Sequence, residues 1–327
     1  MLVSDDKRLI YGVRTTADGR VERLGWADVD AALAAPDGFV WLHLDASDSR
    51  VQQWLSTCPH LPEDAREILV GVDRHIRIEA GPHGVMGVLG DLHHDFADDP
   101  NRVGTLRLYF DDHRFVTARR NALRAVDRLR RSVELNRCER KPAPLLVELL
   151  HHLSDAFSGT LLEAIEELDD VETDVLADRV KDGGAALGRA RRTLAHLRRH
   201  LGPQRIALGG LLARLPSWAT PEEAADLRDA VARLDAVGHD LDLAQERARQ
   251  LQDERAGRLA EITNRNLYVL SIFTAMFLPM TLVTGVFGMN VGGLPGVESP
   301  HGFLWTMILM FGTGACTYGV LRIARIV

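Results

Sequence analysis

Two stretches near the C-terminal end set the pattern. Across residues 267–287 no side chain carries a charge. At ~1.5 Å of rise per residue, a helix of about 21 residues matches a hydrocarbon layer of ~30 Å. Residues 303–321 form a second uncharged run of about 19, just sufficient to span. The whole-chain mean hydropathy of −0.07 hides this asymmetry, because nearly all the charge precedes Arg265. The pair predicts a membrane hairpin; a hairpin buried in a soluble core is the competing reading, and two uncharged runs of this length sit poorly with it.

Arg255, Arg258 and Arg265 precede the first run, and Arg322 and Arg325 follow the second, whereas residues 288–301 contain no Lys or Arg. Basic residues flanking spans stay on the cytoplasmic side, so both termini are expected in the cytoplasm and the short connection outside.

Before the spans the period changes twice. Short β-rich runs at 9–13, 39–44, 76–79, 85–89, 105–110 and 115–117 are separated by turn residues such as Gly81-Pro82 and Asp111-Asp112, with helical stretches at 51–55 and 62–69. Beyond Asn121 apolar residues recur three and four apart, as in Leu145, Leu149, Leu153, Phe157, Leu161 and Ile165, which predicts long helices. The last begins at Thr220-Pro221, a capping residue followed by proline at the first helical position, and meets no strong breaker before Pro279. The expected fold is an α+β membrane protein: an α/β cytoplasmic domain over 1–140, a long-helix stalk over 141–264 and a transmembrane hairpin over 265–327.

A 3.5-residue repeat along the first span places Asn264, Leu267, Ser271, Thr274, Leu278, Thr281 and Gly285 on one face. Extended backwards it adds Glu246, Gln250, Asp253, Gly257 and Ala260, while Arg247, Arg249, Arg255, Arg258 and Arg265 fall elsewhere. Around an axis shared by several copies, this stripe would give an acidic vestibule at Glu246 and Asp253. Rings of hydroxyls would follow, separated by apolar constrictions at Leu267 and Leu278, an arrangement that favours cations and gates by dewetting. The alternative is that these hydroxyls only bond back to the carbonyl four residues earlier. Two spans cannot enclose a channel, so a pore requires an oligomer.

Charge and cysteine content narrow the classes. With 39 Lys and Arg against 46 Asp and Glu, the net charge of −7 gives no reason to expect nucleic acid as a partner. Three scattered cysteines form neither a disulfide framework nor a CxxC site. The opening residues lack an apolar run behind a basic start, so no cleavable signal peptide is expected. No GxSxG elbow, P-loop or GxGxxG follows a strand, so an enzyme is not expected and no cofactor is implied beyond a transported ion. His93-His94, His151-His152 and the His196/His200 pair are candidate metal ligands, with solvated or packed histidines as the alternative. Asp91, His93, His94, Asp95, Asp98 and Asp99 form the best cytoplasmic sensor cluster, or else a solvated turn.

After the first span comes Gly288-Met289-Asn290, then Val291-Gly292-Gly293-Leu294-Pro295-Gly296. Together with the run over 276–282, the long preceding helix and the C-terminal hairpin, this resembles the CorA metal-ion transporter family. The resemblance implies a funnel-shaped homopentamer in a bacterial-type inner membrane. Gly288, Met289 and Asn290 would form its entrance selectivity motif, and the stripe would line its conduit. Magnesium-type members carry Met-Pro-Glu-Leu after the tripeptide. Here Gly-Gly-Leu-Pro-Gly stands there, acid appears only at Glu298, and the run Val40-Trp41-Leu42-His43-Leu44-Asp45 is similar to that of the ZntB zinc branch. Zinc cargo with proton-coupled uptake is therefore implied, with cadmium, nickel or cobalt as further ions. Magnesium or cobalt passage by a channel mechanism is the alternative within the class, and a membrane-anchored regulatory scaffold the alternative outside it.

Overall fold

The computed structural model describes residues 8–35, 37–93, 103–177, 183–289, 294 and 299–323. The strands are β1 (Leu9–Thr15), β2 (Val21–Arg23), β3 (Phe39–Asp45), β4 (Arg77–Gly81), β5 (Gly84–Leu92), β6 (Val103–Phe110) and β7 (Arg114–Arg119). They form one sheet in the order β2-β1-β3-β7-β6-β5-β4. β3 and β7 pair in parallel and every other neighbouring pair is antiparallel. Around the sheet lie α1 (Val29–Ala34), α2 (Ser49–Thr57), α3 (Glu63–Val70) and α4 (Arg124–Glu134), then the long α5 (Pro142–Leu176), α6 (Gly184–Leu212) and α7 (Pro221–Phe287), and finally α8 (Gly302–Ile323). The expected α/β domain and long helices agree with this order. The strand β2, short and fully exposed, was not predicted: three residues without alternation give no signal.

The chain divides into two compact units, Met1–Gln252 and Asp253–Val327. In the first, alternation along the central strands builds two cores. Phe39, Trp41 and Phe115 face one side, in a cluster with Leu145, Leu149 and Phe157 of α5, Leu194 and Leu201 of α6, and Leu227 and Leu234 of α7. Val40, Leu42, Leu44 and Val116 face the other, against Leu33, Leu55 and Leu69 of α1 to α3. With helices on both faces, the inner strands are buried along their whole length, as β5 is. Each fully buried leucine contributes ~1.5–3 kcal/mol relative to exposure.

Helix ends follow the sequence signals where those are local. Thr220 Oγ1 accepts from the Glu223 amide at 3.2 Å and Glu223 Oε2 accepts from the Thr220 amide at 2.8 Å, a reciprocal box that starts α7. The end of α4 is capped from a distance instead. Its N-terminal flank Leu123 has no capping side chain, and the buried Asp91 carboxylate of β5 accepts from the amides of Ala125 (3.0 Å) and Val126 (3.2 Å). Burial pushes the Asp91 carboxyl up to about 7 against the opposing pull of those amides.

His43 sits at the centre of the sheet, wholly buried. Thr117 Oγ1 donates to the Leu42 carbonyl (3.1 Å) and accepts from Trp41 Nε1 (3.1 Å). Its proton being spent, the 2.9 Å contact to His43 Nδ1 assigns the proton to that nitrogen. Nε2 is left without a hydrogen-bond partner. Burial, and next the Arg119 charge, hold the imidazole at about 3. The folded-state value is depressed, so the contribution is complete above pH ~6.5, where the unfolded imidazole is also neutral. It is lost as pH falls, because only the unfolded chain takes up the proton, at about 1.4 kcal/mol per pH unit between ~6.5 and about 3. Thermal melts of wild type and His43→Gln across pH 7 to 4.5 should diverge at neutral pH and converge on acidification; parallel curves would show that His43 does not titrate this way.

Candidate functional site

Within the second unit, α7 turns a half-buried stripe of Ile272, Met276, Pro279, Met280, Val283 and Val286 inward. The facing positions on α8 are Thr306, Met310, Thr313, Gly314, Thr317 and Leu321, spaced three and four apart, with Gly314 fully buried. Gly314 has no side chain because the Met280 methyl occupies the place where a Cβ would stand. Both helices are long and apolar enough to cross a membrane, with mean hydropathy of 1.9 and 1.4 over their best 18-residue windows.

The predicted stripe is a different face of the same helix. Asn264, Leu267, Ser271, Thr274, Leu278, Thr281 and Gly285 are all exposed, Leu267 at 55% and Leu278 at 64%. At 100° per residue their mean direction lies about two fifths of a turn from the face that meets α8. The three hydroxyls do bond back along the helix: Ser271 donates to the Leu267 carbonyl (2.8 Å), Thr274 to Leu270 (2.9 Å) and Thr281 to Phe277 (2.6 Å). This does not remove them as lining groups. Each hydroxyl oxygen keeps a lone pair after donating its proton, so the face presents acceptors.

In the first unit, α7 buries Leu241, Ala244, Ala248 and Leu251, and Glu246 projects away from them, exposed, accepting from Gln250 Nε2 at 3.5 Å. Arg247 is held off by Asp169 (2.6 Å) and Glu172 of α5. Asp253, at the start of the second unit, is exposed. Gly288 follows α7 directly, its amide donating to the Thr284 carbonyl at 2.8 Å, and Met289 is 51% exposed. Asn290 and Glu298 lie outside the described residues.

Of the sensor cluster only Asp91 and His93 are described. The Asp91 carboxylate is committed to capping α4, and His94, Asp95, Asp98 and Asp99 lie outside the described residues. His152 contacts Glu148 at 3.2 Å, and burial holds His200 at about 4, with Arg199 and His196 adding to it. Among the described residues no group of three or more His, Cys, Asp or Glu is placed to hold a metal ion.

Residues 36–322 match the family described as CorA-like Mg2+ transporter protein. A divalent cation transporter of Pseudomonas aeruginosa, CmaX, is 31% identical over 323 residues, 98% of this chain and 97% of its own. The zinc transport protein ZntB of Yersinia enterocolitica is 28% identical over 272 residues, 83% of each chain. Among solved structures, full-length CmaX superposes with a TM-score of 0.84, covering 99% of this chain and 100% of that one at 31% identity. The CorA magnesium transporter of Methanocaldococcus jannaschii shares the fold over 98% of both chains, with a TM-score of 0.76 at 18% identity. With a family match over most of its length and a relative of this identity along nearly all of it, the chain belongs to the CorA-like family of metal-ion transporters.

Proposed function

We propose that the protein carries divalent cations, zinc foremost and with protons accompanying it, through a pore formed where identical copies turn their α7 stripes toward a common axis. Five copies follow from family resemblance. The membrane is the bacterial inner membrane, with both termini cytoplasmic. Gly288, Met289 and Asn290 form the outer entrance, close to Glu298. Ser271, Thr274 and Thr281 line the conduit between constrictions at Leu267 and Leu278, with Asn264 below and Gly285 above, and Glu246 and Asp253 gather cations at the inner mouth. No cofactor is needed beyond the ion carried.

One observation carries this reading: the acceptor-bearing stripe of α7 is exposed and lies off the face that meets α8. Back-bonded hydroxyls keep acceptor lone pairs, and hydrated divalent cations present water protons that such oxygens accept. The zinc assignment is supported by the ZntB relatives, two of which are 28–29% identical to this chain over more than four fifths of its length. The family description as a magnesium transporter favours the second reading, magnesium or cobalt passage by a channel mechanism. Uptake by purified protein in liposomes separates them. A tenfold excess of magnesium should leave zinc uptake nearly unchanged, and an inward proton gradient should raise it several-fold. Equal competition by magnesium, with no response to the gradient, would establish the magnesium-channel reading instead.

A further inference from the structure

Away from the α7 stripe, the α/β domain contains a cavity of about 480 Å3 lined in part by Arg74, Gly104, Thr105, Arg107, Arg120 and Asn121. Four chain segments meet there: the connection before β4, the end of β5 with the adjoining His93, strand β6 and the turn between β7 and α4. Arg107 is only 2% exposed. Its Nη2 donates to the Asp73 carbonyl (2.6 Å) and its Nη1 to Thr105 Oγ1 (3.2 Å), while Nε has no partner. Arg120 is held in the same way, Nη2 donating to the Val70 carbonyl at 3.1 Å, with Nε again unpartnered.

Carbonyls and a hydroxyl orient these guanidinium groups without neutralising them. The Asp73 carboxylate is engaged by Arg77 (2.8 Å) and His75 (2.5 Å), and among the described residues neither Arg107 nor Arg120 forms an ion pair. Burial, followed by the neighbouring charge of Arg120, pulls the Arg107 guanidinium below its ordinary value; Asp73 opposes this, and Arg77 and Arg74 add to it. A buried cation among like charges is unfavourable unless an anion completes the group. The residual donors of a guanidinium fork match phosphoryl oxygens in pairs.

We propose that this cavity binds a phosphorylated small molecule, its phosphoryl group held by Arg74, Arg107 and Arg120. The convergence of three cations calls for an anion of more than one charge, which a phosphoryl group supplies and a single carboxylate does not. The volume lies within the ~300–1,000 Å3 of small-molecule sites and exceeds the need of a lone phosphate. Val72, Val103 and Ala122 provide an apolar wall for the remainder of the ligand.

Full-length protein in detergent, titrated with inorganic phosphate, pyrophosphate and ATP, tests this by calorimetry and thermal melts. All three should raise Tm by several degrees where sodium chloride at matched ionic strength does not. Arg74→Ala and Arg120→Ala should each weaken affinity about tenfold, and Arg228→Ala, on the exposed side of α7, should not. Arg107→Met is a harsher change that can disturb folding; Arg74 is exposed, so its substitution keeps the test decisive. ATP binding well above phosphate would identify a nucleotide as the phosphoryl source, and equal binding a free phosphate; either supports the site. Flat titrations, stabilisation matched by chloride, or wild-type affinity in both alanine variants would overturn it.

Discussion

Asn290→Ala is expected to lower zinc flux in proteoliposomes by two to three orders of magnitude while leaving assembly and melting behaviour unchanged. The proposed entrance handles a cation that keeps its water, so it must grip the hydration shell, and a neutral amide does this without the long residence that a ring of carboxylates would impose. Alanine removes both the acceptor and the donors. Each hydrogen bond is worth about 1 kcal/mol net, and losing three or four of them around a ring raises the entry barrier accordingly. Isotopic zinc uptake, alongside size-exclusion profiles, measures both quantities. Wild-type flux in a correctly assembled variant would remove Asn290 from the entrance.

Gly84→Ala should be a severely damaging single-methyl change in the first unit, costing about 2–6 kcal/mol. Gly84 closes the β4–β5 hairpin with φ +151, a conformation that L side chains rarely adopt. An added Cβ would also strike the Phe110 carbonyl oxygen and stand 3.0 Å from the Tyr109 ring. The backbone penalty is ~1–3 kcal/mol, and forcing an extra carbon into a filled space adds ~1–3 kcal/mol. Gly19 separates the two contributions, because it also has positive φ (+81) but nothing lies within 4 Å of its would-be Cβ. Gly19→Ala should therefore cost only about 1 kcal/mol. Circular-dichroism melts of the two variants make the comparison; similar losses would refute the steric part.

The sequence disclosed those features whose physics is local or repetitive. A helix that crosses a bilayer needs about twenty residues with few charges, so both candidate spans were visible from charge alone. The Thr220 box uses residues three apart, and the β3 and β7 cores follow from alternation. The capping role of Asp91 was not legible beside its candidacy as a sensor ligand, because its partners, Ala125 and Val126, come from a helix more than thirty positions later. Arg107 stands between Leu106 and Leu108 in a pattern that ordinarily turns the charged residue to solvent; helices on both faces of the sheet bury it instead. The 3.5-residue repeat grouped Ser271, Thr274 and Thr281 on one side of α7, but it gave no indication of where α8 would dock. That choice depends on Gly314 accepting the Met280 methyl, a fit between two shapes.

The back-bonded hydroxyls of α7 carry a consequence for charge movement. Because Ser271, Thr274 and Thr281 have already committed their hydrogens to main-chain oxygens, this surface can neither solvate chloride nor pass a proton hand to hand along its side chains. If the proposed conduit carries protons with the metal, they must hop through its water column, so anything that dries the proposed Leu278 girdle would halt both currents together.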